Sequence, residues 1–198
     1  MRPGKIRFLA VLAGLCAILA GCGQPPVDTA ATQPGGPGLS KDDVDRQDAT
    51  SRWANDYCIA VGSLVDGLAT MPSIDPSTPR RTVQTSSDLL ASMIGGLDKT
   101  VQQLRTLPAA PVPEAATARD SAVAQFAGIR ARAATAKQHL DAAGAATTVD
   151  QDTLGEAQGP LAEVSKVDVL AGLNSVPTLA TAAAHAPVCQ QLTARETS

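Results

Sequence analysis

Residues 53–68 read WANDYCIAVGSLVDGL, and the apolar side chains in this stretch recur every three or four positions. The residues that share this spacing are Trp53, Tyr57, Ala60, Val61, Leu64, Val65 and Leu68. Because an α-helix has about 3.6 residues per turn, they lie along a single face. The stretch therefore predicts an amphipathic helix that begins near residue 50 and ends at Met71-Pro72, since proline stops helices.

The same spacing recurs further along the chain. A second apolar stripe runs from Val83 to Leu104, and Gly95-Gly96 within it indicates either a close helix crossing or a kink. An alanine-rich third helix is predicted over residues 114–143, with Gly144 as its C-cap.

A fourth apolar region begins near Asp150 or Asp152, breaks near Val176-Pro177 and then resumes. Residues 167–170 come closest to the alternation of a strand, but they lie inside a helical pattern. We therefore expect an all-α fold: an up-down-up-down four-helix bundle that follows a signal peptide and a disordered linker.

Composition excludes several classes of protein. The 198 residues carry a formal net charge of −3, and only 2% of them are aromatic. Binding to nucleic acid usually requires a basic excess or aromatic stacking platforms, so we expect no nucleic-acid partner. Two histidines are too few for a histidine-rich metal site, and the length fits one domain.

The N-terminus has the pattern of an export signal. Arg2, Lys5 and Arg7 precede an apolar run over residues 8–19, which is too short for a transmembrane helix of about 20 residues. The run ends in Leu19-Ala20-Gly21-Cys22, which resembles the bacterial lipobox.

The resemblance to the lipobox implies that the thiol of Cys22 accepts a diacylglyceryl group and that the signal is cut after Gly21. The expected location is the extracytoplasmic face of the cell membrane, with two acyl chains as the anchor. The alternative is an ordinary cleaved signal in which Cys22 is incidental.

Four segments follow from this pattern: a lipoprotein signal peptide at 1–21, the lipidated cysteine with a flexible Gly/Pro-rich tether at 22–48, a helical domain at 49–192 and a disordered tail at 193–198. Asp42, Asp43, Asp45 and Asp48 close the tether. They lack the glycine and glutamate of a calcium loop, so we interpret them as a solvated helix start.

Two cysteines remain after cleavage and lipidation. Cys16 is removed with the signal, which leaves Cys58 and Cys189 in an exported protein, where two thiols predict a disulfide. The bridge would span 189 − 58 = 131 positions. The alternative is two buried free thiols, and a redox-active pair would need a spacing such as C-x-x-C, which is absent.

The chain also resembles small secreted or lipidated helical proteins of actinobacteria, mycobacterial ones included. The resemblance is carried by Trp53 and Tyr57-Cys58 at one end of the domain and by Ala186-Pro187-Val188-Cys189 at the other. Most such proteins have no assigned activity, so the resemblance implies no catalytic residue.

The sequence offers little for catalysis. His139 and His185 are the candidate bases, but each is predicted to be a surface or boundary residue. No phosphate-binding G-x-x-x-x-G-K motif occurs. We therefore expect a protein that is not an enzyme, with no catalytic residue, no metal site and no cofactor.

Trp53 and Tyr57 lie one helical turn apart and form the candidate binding face, since aromatic residues recur at binding hot spots. The alternative is that the two rings anchor the first helix in the core.

Two functions remain. The first is a lipid-anchored, non-catalytic protein that contacts an unknown envelope protein. The second is a carrier of a small apolar ligand or lipid, because small side chains on the third helix and at Gly95-Gly96 would leave space between helices.

Overall fold

The computed structural model describes residues 40–145 and 151–196. These residues form seven α-helices and no strand: α1 Lys41–Ala69, α2 Pro79–Arg105, α3 Pro113–Ala145, α4 Gln151–Val164, α5 Ala171–Asn174, α6 Pro177–His185 and α7 Pro187–Glu196. The predicted all-helical class is confirmed. The predicted signal peptide, the lipidation site and most of the predicted tether lie outside the described residues.

Helix α1 begins eight residues before the predicted domain boundary at residue 49, because Ser40 and Asp43 form a capping box. The Ser40 hydroxyl accepts a hydrogen bond from the Asp43 backbone N–H at 3.2 Å, and the Asp43 carboxylate accepts one from the Ser40 backbone N–H at 3.3 Å. The hydrogen bonds from Ser40 also lower the pKa of Asp43. At the other end of the chain, α7 extends through the first residues of the predicted tail, to Glu196.

Helix α2 continues through Gly95-Gly96. A Cβ atom added at Gly96 would lie 3.6 Å from Leu64 Cδ1 of α1, whereas one added at Gly95 would meet nothing within 4 Å. The close-crossing interpretation therefore fits Gly96. Gly144, the predicted C-cap of the third helix, lies inside α3.

The fourth region was predicted as a helix with one break, and the structure corrects this to four helices, α4–α7. Residues 167–170 form a turn instead of continuing a helix, since Asp168 Oδ1 accepts a hydrogen bond from the Leu170 N–H at 2.9 Å. The predicted break at Val176-Pro177 is present, since α5 ends at Asn174 and α6 begins at Pro177. A further break, not predicted, falls at Ala186, whose backbone is extended before Pro187, as the residue before a proline prefers.

The core is built from buried side chains of α1, α2, α3 and the four C-terminal helices. Helix α1 packs against α2, α6 and α7, while α3 packs against α2, α4 and α5. The largest fully buried side chains include Tyr57, Phe126 and several leucines, among them Leu64 and Leu140. Across the two described ranges, no helix is both long enough and apolar enough to cross a bilayer.

Candidate ligand-binding cleft

A cleft of about 430 Å³ opens between the first half of α3 and residues 168–176, with Tyr57 of α1 at its base. Its floor consists of buried residues: Tyr57, Ala118, Ala122, Phe126 and Val169. Its rim is exposed and mostly polar: Glu114, Thr117, Ser121, Gln125, Asp168, Ala171 and Ser175. An apolar floor with a few polar groups at the mouth is the usual composition of a small-molecule site, and the volume lies toward the low end of the roughly 300–1,000 Å³ typical of such sites.

Small residues shape this cleft. Ala118 and Ala122 lie one turn apart on α3 and present only methyl groups to it. Gly172 of α5 packs directly on Ala118, because a Cβ atom added at Gly172 would lie 3.4 Å from the Ala118 Cβ. The backbone of α5 thus approaches α3 closely at this point, and the cleft occupies the adjoining space.

Two side-chain hydrogen bonds hold the turn at residues 167–170. Within the turn, Asp168 Oδ1 accepts a hydrogen bond from the Leu170 N–H. From α1, the Tyr57 hydroxyl donates to the Val169 carbonyl oxygen at 3.4 Å. Burial, followed by the negative charge of Asp168, raises the pKa of Tyr57 to about 12. The phenol therefore stays protonated at neutral pH and remains a hydrogen-bond donor.

The charges at the rim have one sign. The carboxylates of Glu114 and Asp168 border the cleft, and no Lys, Arg or His among the described residues lines it. A second cavity of about 380 Å³ between α2 and α3 differs, because its charges offset one another. There the Lys137 ammonium lies 2.7 Å from an Asp141 carboxylate oxygen, and this contact, with a hydrogen bond from Ser87, lowers the pKa of Asp141.

The aromatic pair predicted as a binding face lies in the core. Trp53 is 3% exposed and Tyr57 is 1% exposed, and their ring centroids are 5.7 Å apart. An exposed binding face does not fit this burial, whereas the alternative of anchoring α1 does. Tyr57 nevertheless lines the floor of the cleft, so one residue of the pair belongs to the candidate site.

The two histidines lie away from the cleft. His139 Nδ1 contacts the exposed Glu156 carboxylate and links α3 to α4, and His185 is exposed at the end of α6. Among residues 40–145 and 151–196, no group of three or more His, Cys, Asp or Glu side chains is placed to hold a metal ion.

Cys58 and Cys189 have their sulfur atoms 2.03 Å apart, in agreement with the predicted disulfide. Two further contacts join α1, which carries Cys58, to α7, which carries Cys189. Asn55 Oδ1 accepts a hydrogen bond of 3.1 Å from the Val188 N–H at the start of α7. Arg195 Nη1 lies 2.6 Å from Asp66 Oδ1 in an ion pair. The start of α7 is therefore capped by a side chain of α1.

Comparisons with protein-family models, with curated proteins and with solved structures give no match to this chain.

Sequence reasoning missed Glu114, Asp168 and Gly172 as members of a site. The alanine-rich sequence of α3 predicts small side chains facing the core, and this is the sequence signal for the apolar floor of the cleft. The acidic rim had no such signal, because 54 positions separate Glu114 from Asp168 and only the fold brings them to one cleft.

Proposed function

We propose that this chain is a non-catalytic, lipid-anchored protein of the extracytoplasmic face that binds a small ligand in the cleft between α3, α5 and Tyr57. The cleft is the observation that carries this proposal. We further propose an up-down-up-down four-helix arrangement in which α4–α7 together form the fourth segment. The contacts of α1 with both α2 and α6, and of α3 with both α2 and α4, support it.

Ligand binding is favoured over contact with an envelope protein because of how apolar surface is distributed. Among the described residues, the exposed large hydrophobic side chains are Val44, Ile59 and Ile74, each 42–49% exposed. Such scattered residues are normal on a surface, whereas a protein interface usually requires a contiguous apolar patch. The alternative of an interaction protein has no comparable feature in its favour.

Binding is favoured over catalysis by the state of two of the three rim hydroxyl groups, those of Thr117 and Ser175. The Thr117 hydroxyl donates to the Pro113 carbonyl oxygen of its own helix at 3.3 Å, and the Ser175 hydroxyl donates to the Gly172 carbonyl oxygen at 3.1 Å. Activating a nucleophile requires a base within hydrogen-bond distance, and these hydroxyls are instead bonded to backbone carbonyls.

Blocking the mouth of the cleft tests this function. Thr117→Phe is expected to weaken binding of the neutral apolar dye Nile red by roughly tenfold or more, because the ring takes up space within the cleft. Fluorescence titration of the purified domain measures the loss.

Thr135→Phe is the matched control. Thr135 is also exposed on α3 and donates to the carbonyl four residues earlier at 3.3 Å, but it does not line the cleft. We expect it to bind the dye like the wild type, with the same circular dichroism as Thr117→Phe. Equal dye binding by both variants would place the binding site elsewhere.

The anchor is tested separately. Cys22→Ser removes the thiol that would carry the acyl chains, so the protein should be shed into the medium and lose its partition into detergent. Fractionation with mass measurement of the mature N-terminus reports both effects. A variant that still enters the detergent phase with the membrane fraction would contradict lipidation at this residue.

A further inference from the structure

The cleft combines two features that select for different parts of one ligand. Two carboxylates stand at its mouth on separate elements, Glu114 in the first turn of α3 and Asp168 in the turn before α5. Its floor is closed by the buried side chains of Tyr57, Phe126 and Val169. A ligand that satisfies both features has a positive head and an apolar body.

The carboxylates are available to such a head. Asp168 uses Oδ1 to accept from Leu170, and within residues 40–145 and 151–196 neither its Oδ2 nor the Glu114 carboxylate has a hydrogen bond or an ion pair. The charged groups around the second cavity behave differently, since Lys137 already pairs with Asp141 there. The acidic charge at this cleft is thus uncompensated by the described residues that line it.

From this juxtaposition we propose that the cleft binds an organic cation, an amine or ammonium group carried on an apolar body. This inference rests on the proposed ligand-binding function and specifies its ligand class. An anionic ligand of the same shape would meet two like charges, which disfavours binding. A neutral ligand would fill the floor without using the carboxylates. The raised pKa of Tyr57, to which Asp168 contributes, agrees with a negative field that reaches the base of the cleft.

Three probes that share a phenylbutyl body and differ in the head test this proposal: 4-phenylbutylamine, 4-phenylbutanol and 5-phenylpentanoate, each titrated by NMR into the purified protein. The amine is expected to bind roughly five- to tenfold more tightly than the alcohol, as two partly exposed carboxylates allow. The carboxylate probe is expected to bind most weakly. The preference should shrink as salt rises, because ions screen exposed charges.

Glu114→Gln combined with Asp168→Asn should abolish the preference for the amine over the alcohol. Both replacements keep the size of the side chain, and the asparagine oxygen can still accept from the Leu170 N–H. The control is Asp45→Asn with Asp48→Asn, which removes the same charge from exposed positions of α1 that do not line the cleft. This control should keep the preference for the amine.

The possible outcomes separate the preference for a cation from ligand binding itself. Equal binding of the three probes, all weakened by Thr117→Phe, would overturn the cation inference and leave the ligand-binding function standing. A preference that is lost equally in the Asp45/Asp48 control would also overturn it, because net charge would then be the cause. If none of the probes binds at millimolar concentration, both the inference and the proposed function fail.

Discussion

Replacing Cys58 and Cys189 with alanine is expected to lower the free energy of unfolding by about 4–5 kcal/mol. The bridge closes a loop of 131 residues, so it removes much of the freedom of the unfolded chain. Domains of this kind have total stabilities of only about 5–15 kcal/mol, so the variant should be close to unfolding at physiological temperature. Urea denaturation followed by circular dichroism measures the loss.

A reducing agent provides the internal control for this experiment. Dithiothreitol should destabilise the wild type by a similar amount and leave the double alanine variant unchanged, since the variant has no bridge to reduce. If oxidised wild type and variant unfold at the same urea concentration, the bridge does not stabilise the domain.

Trp53→Ala is expected to cost about 3–5 kcal/mol, the usual range for removing a large buried ring. Trp53 is 3% exposed and packs beside Tyr57, so the substitution leaves a cavity in the centre of the helical domain. The same denaturation experiment detects it as a lower transition midpoint with an unchanged slope.

Trp53→Phe is the matched comparison, and it should cost at least about 2 kcal/mol less than Trp53→Ala. Phenylalanine keeps most of the apolar contact, and it removes the indole N–H, which is buried with no hydrogen-bond partner among the described residues. Leaving such a donor unsatisfied costs about 1–3 kcal/mol, which offsets part of the lost volume. Equal losses for phenylalanine and alanine would show that packing at this site contributes little.

The burial of the aromatic pair also determines which substitutions can report on binding. Alanine at Trp53 or Tyr57 changes folding and the cleft together, so a loss of ligand would have two explanations. Thr117, Glu114 and Asp168 lie at the exposed rim, where a substitution changes the cleft with little effect on the core. Binding should therefore be tested at the rim.

The first three helices could be predicted from the sequence because one physical signal dominates each of them. Apolar residues recur with the helical period over several turns, and prolines end the pattern at Pro72 and Pro108. The aspartates at residues 42–48 are interpreted as a helix start, and Asp42 and Asp43 do lie in the first turn of α1. The apolar stripe alone places the start near residue 50, because the capping box between Ser40 and Asp43 lies beyond it. A helix end set by two polar side chains leaves no trace in hydrophobic periodicity.

The fourth region could be predicted only coarsely. Its apolar residues keep a roughly helical spacing through α4–α7. Pro177 predicts the break between α5 and α6, but two other breaks, at residues 165–170 and at Ala186, are not predicted. Both breaks are local: one side-chain hydrogen bond at Asp168 and the steric effect of Pro187 on the preceding residue. The cleft depends on the break that contains Asp168. Because the apolar spacing at residues 167–170 looks helical, the sequence does not predict this part of the rim.

The bridge between α1 and α7 has a consequence for cleavage of the chain by a protease. Cys58 lies near the middle of the first helix and Cys189 in the last one, so the bond encloses all the loops between α1 and α7. A single cut by a protease in any of these loops, for example at residues 70–78, leaves two fragments that are still covalently joined. With the proposed anchor at Cys22, both fragments would stay at the membrane, and release of the domain would require a second cut or reduction of the bridge.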